Sequence, residues 1–300
     1  MPVDPAFAAA GRFHRGNLHA HSTRSDGARE PAAVCDFYRE AGYDFIALTD
    51  HFLPKYQFPV TDTRVHRRDG FTTLLAAEVH TTATALGEMW HLLAVGLPPD
   101  FPATVAGERG PELAARCRAA GAWVVIVHPA WNGLTLEDAE AIPAADAVEV
   151  YNHTSQVHTD RGDGSYLIDQ LLARGRRITL CATDDAHFHL DDALGAWVMV
   201  KATANEPDLL LDALKAGRFY SSQGPVIEQV VHEHDRIEVS CSPVRSVMAL
   251  GKGSAAVQEV GDGLTRVTLP AERLLRGGHS RIVVTDALGR RAWTNPYWYE

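Results

Sequence analysis

Histidines and carboxylates recur in this chain where apolar runs stop, and that placement restricts the possible folds more than any compositional figure. Asn17-Leu18-His19-Ala20-His21 leads into Ser22-Thr23-Arg24-Ser25-Asp26-Gly27. If Arg15 to Ala20 form a strand, His19 and His21 lie two apart and project the same way. Two imidazoles aimed at one point can chelate a metal ion, and Asp26 follows on a turn that Gly27 can close. A lone His-x-His pair is common on surfaces. Here it is answered by Thr49-Asp50-His51, Glu78, Trp90-His91, Val127-His128-Pro129 and Asp184-Asp185-Ala186-His187, most of them at the C-terminal end of an apolar run.

Between these points strand and helix signals alternate. Residues 31–41 read as a helix, with Pro31 in the first turn, Val34, Phe37 and Tyr38 as its apolar face and Gly42 as its stop. Residues 111–120, 135–145, 166–173 and 207–216 read as further helices. Strands are expected over 44–48, 71–80, 89–95, 123–127, 147–151 and 178–182. Continuous apolar strands separated by helices predict a parallel sheet covered by helices, closed as a barrel, with its site at the strand C-terminal ends. Past residue 222 the grammar changes to short alternating strands over 236–241, 265–269 and 281–285, punctuated by proline and glycine. That predicts a small antiparallel, sandwich-like β domain over 223–300, following a first domain over 1–222.

The 300 residues are 46% hydrophobic and 22% charged, ordinary values for a globular protein. A formal net charge of -10 argues against nucleic acid as a stable partner and against an anionic membrane surface. An anionic substrate would then need local positive charge, which bound metal could supply. Cys35, Cys117, Cys181 and Cys241 form no C-x-x-C pair and read as small buried hydrophobes. There is no apolar signal core and no run approaching the roughly 18 apolar residues of a membrane helix, so the expectation is a reduced, cytoplasmic protein.

Taken together, His19-Ala-His21 with Asp26, Thr49-Asp50-His51, Glu78, His91, His128-Pro129 and Asp185-Ala-His187 resemble the PHP (polymerase and histidinol phosphatase) superfamily of metal-dependent phosphoesterases. The resemblance covers residues 13–222. The Arg15-Gly16-Asn17-Leu18-His19 opening and the tail resemble the branch that includes carbaryl hydrolases. The resemblance implies an α/β fold, a distorted (β/α)7 barrel, and two or three divalent ions, with zinc, manganese and iron all open. On it, His19, His21, Glu78 and Asp185 would bind one ion, Glu78 would bridge to a second held by His91 and His128, and Asp26, His51 and His187 would hold a third. Some family members have histidine where this chain has Asp26, and a carboxylate suits harder ions better.

The implied reaction is hydrolysis of a small phosphate monoester by a metal-bound hydroxide. Either two or three divalent ions outweigh the three carboxylates, so the centre would favour a small anionic, phosphorylated substrate. His187 and Asp50 are the candidates for assisting proton transfer, although strand alternation turns Asp50 away from His51 and suits it to a supporting role. Asn152 and Arg24 are candidate substrate contacts, with Lys55 beside them. Glu78 is preferred to Glu88 because it ends the longer apolar run, and the Asp-x-His spacing selects Asp185 over Asp184. His80, His153, His158 and His189 read as partly exposed flanking residues, and His14, His66, His232, His234 and His279 as surface. Two other functions stay open. One is hydrolysis of a carbamate, amide or carboxylic ester at the same centre; the other is a non-catalytic metal-binding domain.

Overall fold

The computed structural model describes residues 3–299. After α1 (Pro5–Ala8) come β1 (Arg12–Asn17), α2 (Pro31–Glu40), β2 (Phe45–Leu48), β3 (His51–Phe52), β4 (Thr72–Thr81) and β5 (Trp90–Val95). Then follow α3 (Gly110–Ala119), β6 (Trp123–Ile126), α4 (Leu136–Glu140), β7 (Ala147–Asn152), α5 (His153–Thr159), α6 (Ser165–Ala173), β8 (Thr179–Thr183), β9 (Trp197–Ala202), α7 (Pro207–Lys215) and β10 (Phe219–Ser222). Proline stands in the first turn of α1, α2, α3 and α7, whereas α4 and α5 are capped by the side chains of Thr135 and Asn152. In α2, Pro31 occupies the first turn and the buried face is Val34, Cys35 and Tyr38, with Cys35 taking the place expected for Phe37.

The strands hydrogen-bond in the order β10-β9-β1-β2-β4-β5-β6-β7-β8. β1, β2 and β4 are mutually parallel, as are β6, β7 and β8. β5 runs antiparallel to both β4 and β6, and β9 antiparallel to β1, so the sheet is mixed where an all-parallel one was expected. The reason is local: the β4–β5 connection contains no helix, and a parallel pair needs a long crossover. The far end of the path returns to its middle. Ala20 bridges Ala186 in parallel, with His21 N donating to the Ala186 carbonyl at 2.9 Å and Asp185 N donating to the His19 carbonyl at 2.9 Å. Thr49 N donates to the Ala20 carbonyl on the other side at 2.8 Å, so the His19–His21 segment is clamped between two strand ends.

Alternation along the strands sets one continuous apolar layer. Leu74 and Ala76 of β4, Leu93 and Val95 of β5, Trp123 and Val125 of β6, Ala147 of β7 and Cys181 of β8 pack together with Leu18 and Phe45. Each large aliphatic or aromatic side chain so buried contributes roughly 1.5–3 kcal/mol. The next inward positions on the same faces are Glu78, His80, His91 and Glu149. The apolar layer is therefore the floor of a polar cluster.

The C-terminal part holds β11 (Ile227–His232), β12 (Arg236–Leu250), β13 (Ala256–Pro270), α8 (Glu272–Leu275), β14 (His279–Thr285), β15 (Arg291–Thr294) and β16 (Tyr297–Trp298). Every pairing among these strands is antiparallel. The short strands expected here are instead a ribbon of two 15-residue strands, β12 and β13. Pro243 does not end β12 because it falls where the β12–β13 register shifts between Ser240 and Val244. His14, His232 and His279, expected at the surface, are all buried. The four cysteines are buried and unpaired. Among the described residues no helix is long and apolar enough to cross a membrane.

This part is not a loose appendage. β15 pairs antiparallel with β10, extending the same hydrogen-bonded path. Asn295 accepts from Leu180 N at 2.9 Å and donates to the carbonyls of Gly217 and Phe219 at 3.1 and 2.9 Å. Asn295→Ala strands one N–H and two carbonyls in a buried seam and should cost about 2 kcal/mol of stability. Denaturant unfolding of parent and variant measures this, and an unchanged midpoint would show the seam to be dispensable.

Candidate metal centre

Register explains why the histidines meet. β3 is aligned with β4 so that His51 lies opposite Glu78, and β4 with β5 so that His80 lies opposite His91. Because β5 is antiparallel, His91 reaches the cluster from the start of its strand rather than the end. His128 and Asp185 follow β6 and β8 with positive φ, 30° and 59°. In a regular strand His128 would face away from Val127's layer; the left-handed turn brings it back, a strain of the kind that marks functional positions. The Asp26 turn closes as expected. Gly27 N donates to the Ser22 carbonyl at 2.9 Å, and a Cβ on Gly27 would meet the His21 carbonyl oxygen at 2.4 Å, so only glycine fits.

Glu78 is 1% exposed and sits at the middle. Its Oε2 lies 2.6 Å from His51 Nδ1, 3.6 Å from His21 Nε2, 3.7 Å from His80 Nε2 and 3.8 Å from His19 Nε2. Its Oε1 lies 2.8 Å from His91 Nδ1 and 3.2 Å from His128 Nε2. Asp185 Oδ1 is 3.0 Å from His21 Nε2 and 3.1 Å from His19 Nε2. Asp26 approaches His51 Nε2 at 3.3 Å and His187 Nε2 at 3.6 Å. Four groups have all their ligand atoms within 4.8 Å of one another: His19, His21 and Asp185; His19, Glu78 and His128; His51, Glu78, His80 and His91; and His21, Asp26, His51 and His187.

The nine expected ligands are thus brought together. The rivals are not: Glu88 is exposed, and Asp184 is tied to the Tyr38 hydroxyl and to the N–H groups of Leu194, Gly195 and Ala196. Burial pushes the Asp184 carboxyl up to about 6 despite these bonds.

Two residues that the sequence reading passed over complete the arrangement. His80, expected to be partly exposed, is 2% exposed with Nε2 2.9 Å from His51 Nδ1. Glu149 is fully buried, accepting from the backbone N–H of His128 at 2.6 Å and contacting His19 Nδ1 at 2.9 Å. With its proton on Nδ1 toward Glu149, His19 keeps the Nε2 lone pair for a metal. His187 is fixed alike, Nδ1 lying 2.8 Å from the Asp185 carbonyl. The signal for Glu149 was available: it is the one charge in the apolar run Ala147-Val148-Glu149-Val150-Tyr151.

Three expected roles find other placements. Asp50 is fully buried and accepts from Ser22 N and from the hydroxyls of Ser22, Ser25 and Thr61. It holds the His21–Asp26 loop and does not face the reacting space as a proton-transfer group. Asn152 is also fully buried. Its amide nitrogen donates to Glu149 and Asp185, and its oxygen caps α5 through Ser155 N, so no polar atom remains for a substrate. Arg24 is exposed and does not line the cleft.

That cleft, about 310 Å³, opens on Asp26, His51, Glu78, His91, His128, Asp185 and His187 and is walled by Trp131, Thr154, Ser155, His158, Thr159 and His189. Trp131 stands edge-on to His91 and His128. Among the described residues no lysine or arginine lines it.

Metal fits these residues. Glu78 Oε2, Asp26 Oδ1 and His19 Nε2 are buried without a directed hydrogen bond, although His51 Nδ1 lies 2.6 Å from the first and Asp185 Oδ1 3.1 Å from the last. Buried lone pairs left unmatched are costly, and a cation would match them together. Electrostatics agree. Burial opposes its charge, yet neighbouring imidazoles, His51 and His91 foremost, hold the Glu78 carboxyl well below the usual range. Burial lowers His21 to about 4, with His187 and His51 adding to it. For His51, burial is outweighed by Glu78 and Asp26, which raise it to about 10.

No family model matches the chain, and no curated protein matches it. Solved structures do. A two-domain protein containing a predicted PHP-like metal-dependent phosphoesterase, from Bacteroides vulgatus, aligns over 100% of this chain and 96% of its own, with a TM-score of 0.57 and 19% identity. A protein from Bifidobacterium adolescentis proposed to be a metal-dependent phosphoesterase covers 57% of this chain and 87% of its own, TM-score 0.42 and 18% identity. An amidohydrolase from Chromobacterium violaceum, holding sulfate and no metal, covers 59% of this chain and 89% of its own, TM-score 0.46 and 15% identity. At these identities the likeness concerns fold alone, and only the first is strong enough to use: this chain shares its fold along its whole length.

His51 makes metal binding depend on pH. Raised to about 10 in the metal-free protein, it carries its extra proton at neutral pH, whereas a ligand needs a free lone pair. Metal binding at pH 7 should therefore release protons, from His51 and from His19, which Asp185 and Glu149 likewise hold raised against burial. Calorimetric titration in two buffers of different ionisation enthalpy reads that release. Heats independent of buffer would contradict it.

Proposed function

We propose that the chain is a PHP-type metal-dependent hydrolase, a distorted (β/α)7 barrel over residues 1–222 with a β domain over 223–300, acting on a small phosphate monoester. The supporting observation is the clustering of His19, His21, Asp26, His51, His91, His128, Asp185 and His187 with Glu78, beneath and around one cleft, with buried polar atoms left without directed hydrogen bonds. Bound divalent ions would supply Lewis acidity and an acidified water. The chain's own residues supply the rest. Glu149 and the Asp185 carbonyl fix the His19 and His187 tautomers, and Asp50 holds the loop that presents His21 and Asp26. The apolar floor and Trp131 limit water, which strengthens electrostatic interactions at the reacting centre.

A cleft without lysine or arginine leaves the attraction of a phosphoryl group to the metals alone. It also favours a second reading, in which the group attacked is a neutral carbamate, amide or carboxylic ester whose organic part lies against Trp131, 40% exposed at the wall.

A screen of aryl phosphates, aryl carbamates and aryl esters on one metal-loaded preparation separates the two. The expected outcome is phosphomonoester turnover that falls on the order of 1000-fold after chelation and returns with manganese, iron or zinc. Turnover of carbamates or esters alone would move the assignment to the second reading. Activity that survives complete metal removal would remove both.

A further inference from the structure

His80 has no assigned part in the nine-ligand set, yet its position resembles that of a ligand. It follows Glu78 by two residues on β4 and shares its face. Register places it opposite His91, with ring centroids 4.3 Å apart. Its Nε2 lies 2.9 Å from His51 Nδ1 and 3.7 Å from Glu78 Oε2, while His51 Nδ1 and Glu78 Oε2 are 2.6 Å apart. One nitrogen, His51 Nδ1, thus faces two acceptors and can hold only one proton for them. A divalent ion would take a lone pair from each of these three groups. The same four residues, His51, Glu78, His80 and His91, form one of the compact ligand groups of the chain.

We propose that His80 is a metal ligand, completing with His51, Glu78 and His91 a set of three imidazoles and one carboxylate that takes an ion of borderline softness such as zinc. The inference rests on the metal-dependent reading above and adds to it a ligand that reading does not name. This corner offers three nitrogens and one carboxylate oxygen. A harder ion such as manganese would be retained less well in the nitrogen-rich corner.

The test compares the parent with His80→Gln, a neutral polar replacement without the imidazole. Both are loaded with zinc or cobalt(II), and metal content, cobalt absorption in the visible and circular dichroism are recorded. The expected result is one ion fewer per chain in the variant, a weaker cobalt band and zinc affinity at that position lower by about 100-fold or more, with the fold unchanged. Parent metal content and an unaltered cobalt spectrum in the variant would overturn the proposal. If the variant does not fold, anomalous scattering from zinc-loaded crystals of the parent decides. Zinc within about 2.1 Å of His80 Nε2 supports the assignment, and zinc bound elsewhere with His80 uncoordinated overturns it. A parent that takes up no ion removes the proposed function as well, whereas a parent that binds ions outside the reach of His80 removes only this inference.

Discussion

The structure depends on keeping one carboxylate buried. Glu78 is 1% exposed, and taking an ionised carboxylate out of water costs several kcal/mol that its neighbours must offset. Six imidazoles, those of His19, His21, His51, His80, His91 and His128, stand within 3.8 Å of its oxygens. Two carboxylate oxygens cannot make directed hydrogen bonds with six imidazoles at once, and Glu78 Oε2 makes none. Metal is the economical answer. Bound divalent ions would compensate the carboxylate and use the imidazole lone pairs.

Much of this was legible from residue order. A candidate ligand at the end of an apolar run suggests both a strand and its direction, and repetition of that signal picked out nine candidate residues that the fold brings together. His19, His21 and Glu78 were readable because period-two alternation and run length are local properties. Gly27 was readable because a tight turn between two ligand segments has few solutions. The β-rich tail was legible as a change of pattern near residue 222, although its strands are longer than punctuation by Pro243 suggested.

What was not legible depends on register and on long-range partners. His80 looks like a polar residue at a strand end until the β4–β5 register sets it against His91. Glu149 gains its role from His19 and from His128 N, 130 and 21 residues away. Asp50 and Asn152 were candidates for chemistry because they neighbour ligands in sequence. The fold instead spends their hydrogen-bonding capacity on loops and a helix cap. The antiparallel course of β5 was hidden too, since His91 occupies the right end of the sheet whichever way the strand runs.

The central claim is that Glu78 joins ions in one centre rather than merely pairing with histidines. Glu78→Gln is nearly isosteric and removes the charge, so metal content per chain, measured by elemental analysis of the variant beside the parent, addresses it directly. The account predicts at least two divalent ions in the parent and less than one in the variant, with the fold retained by circular dichroism. A folded variant that keeps the parent's full complement of metal would contradict it.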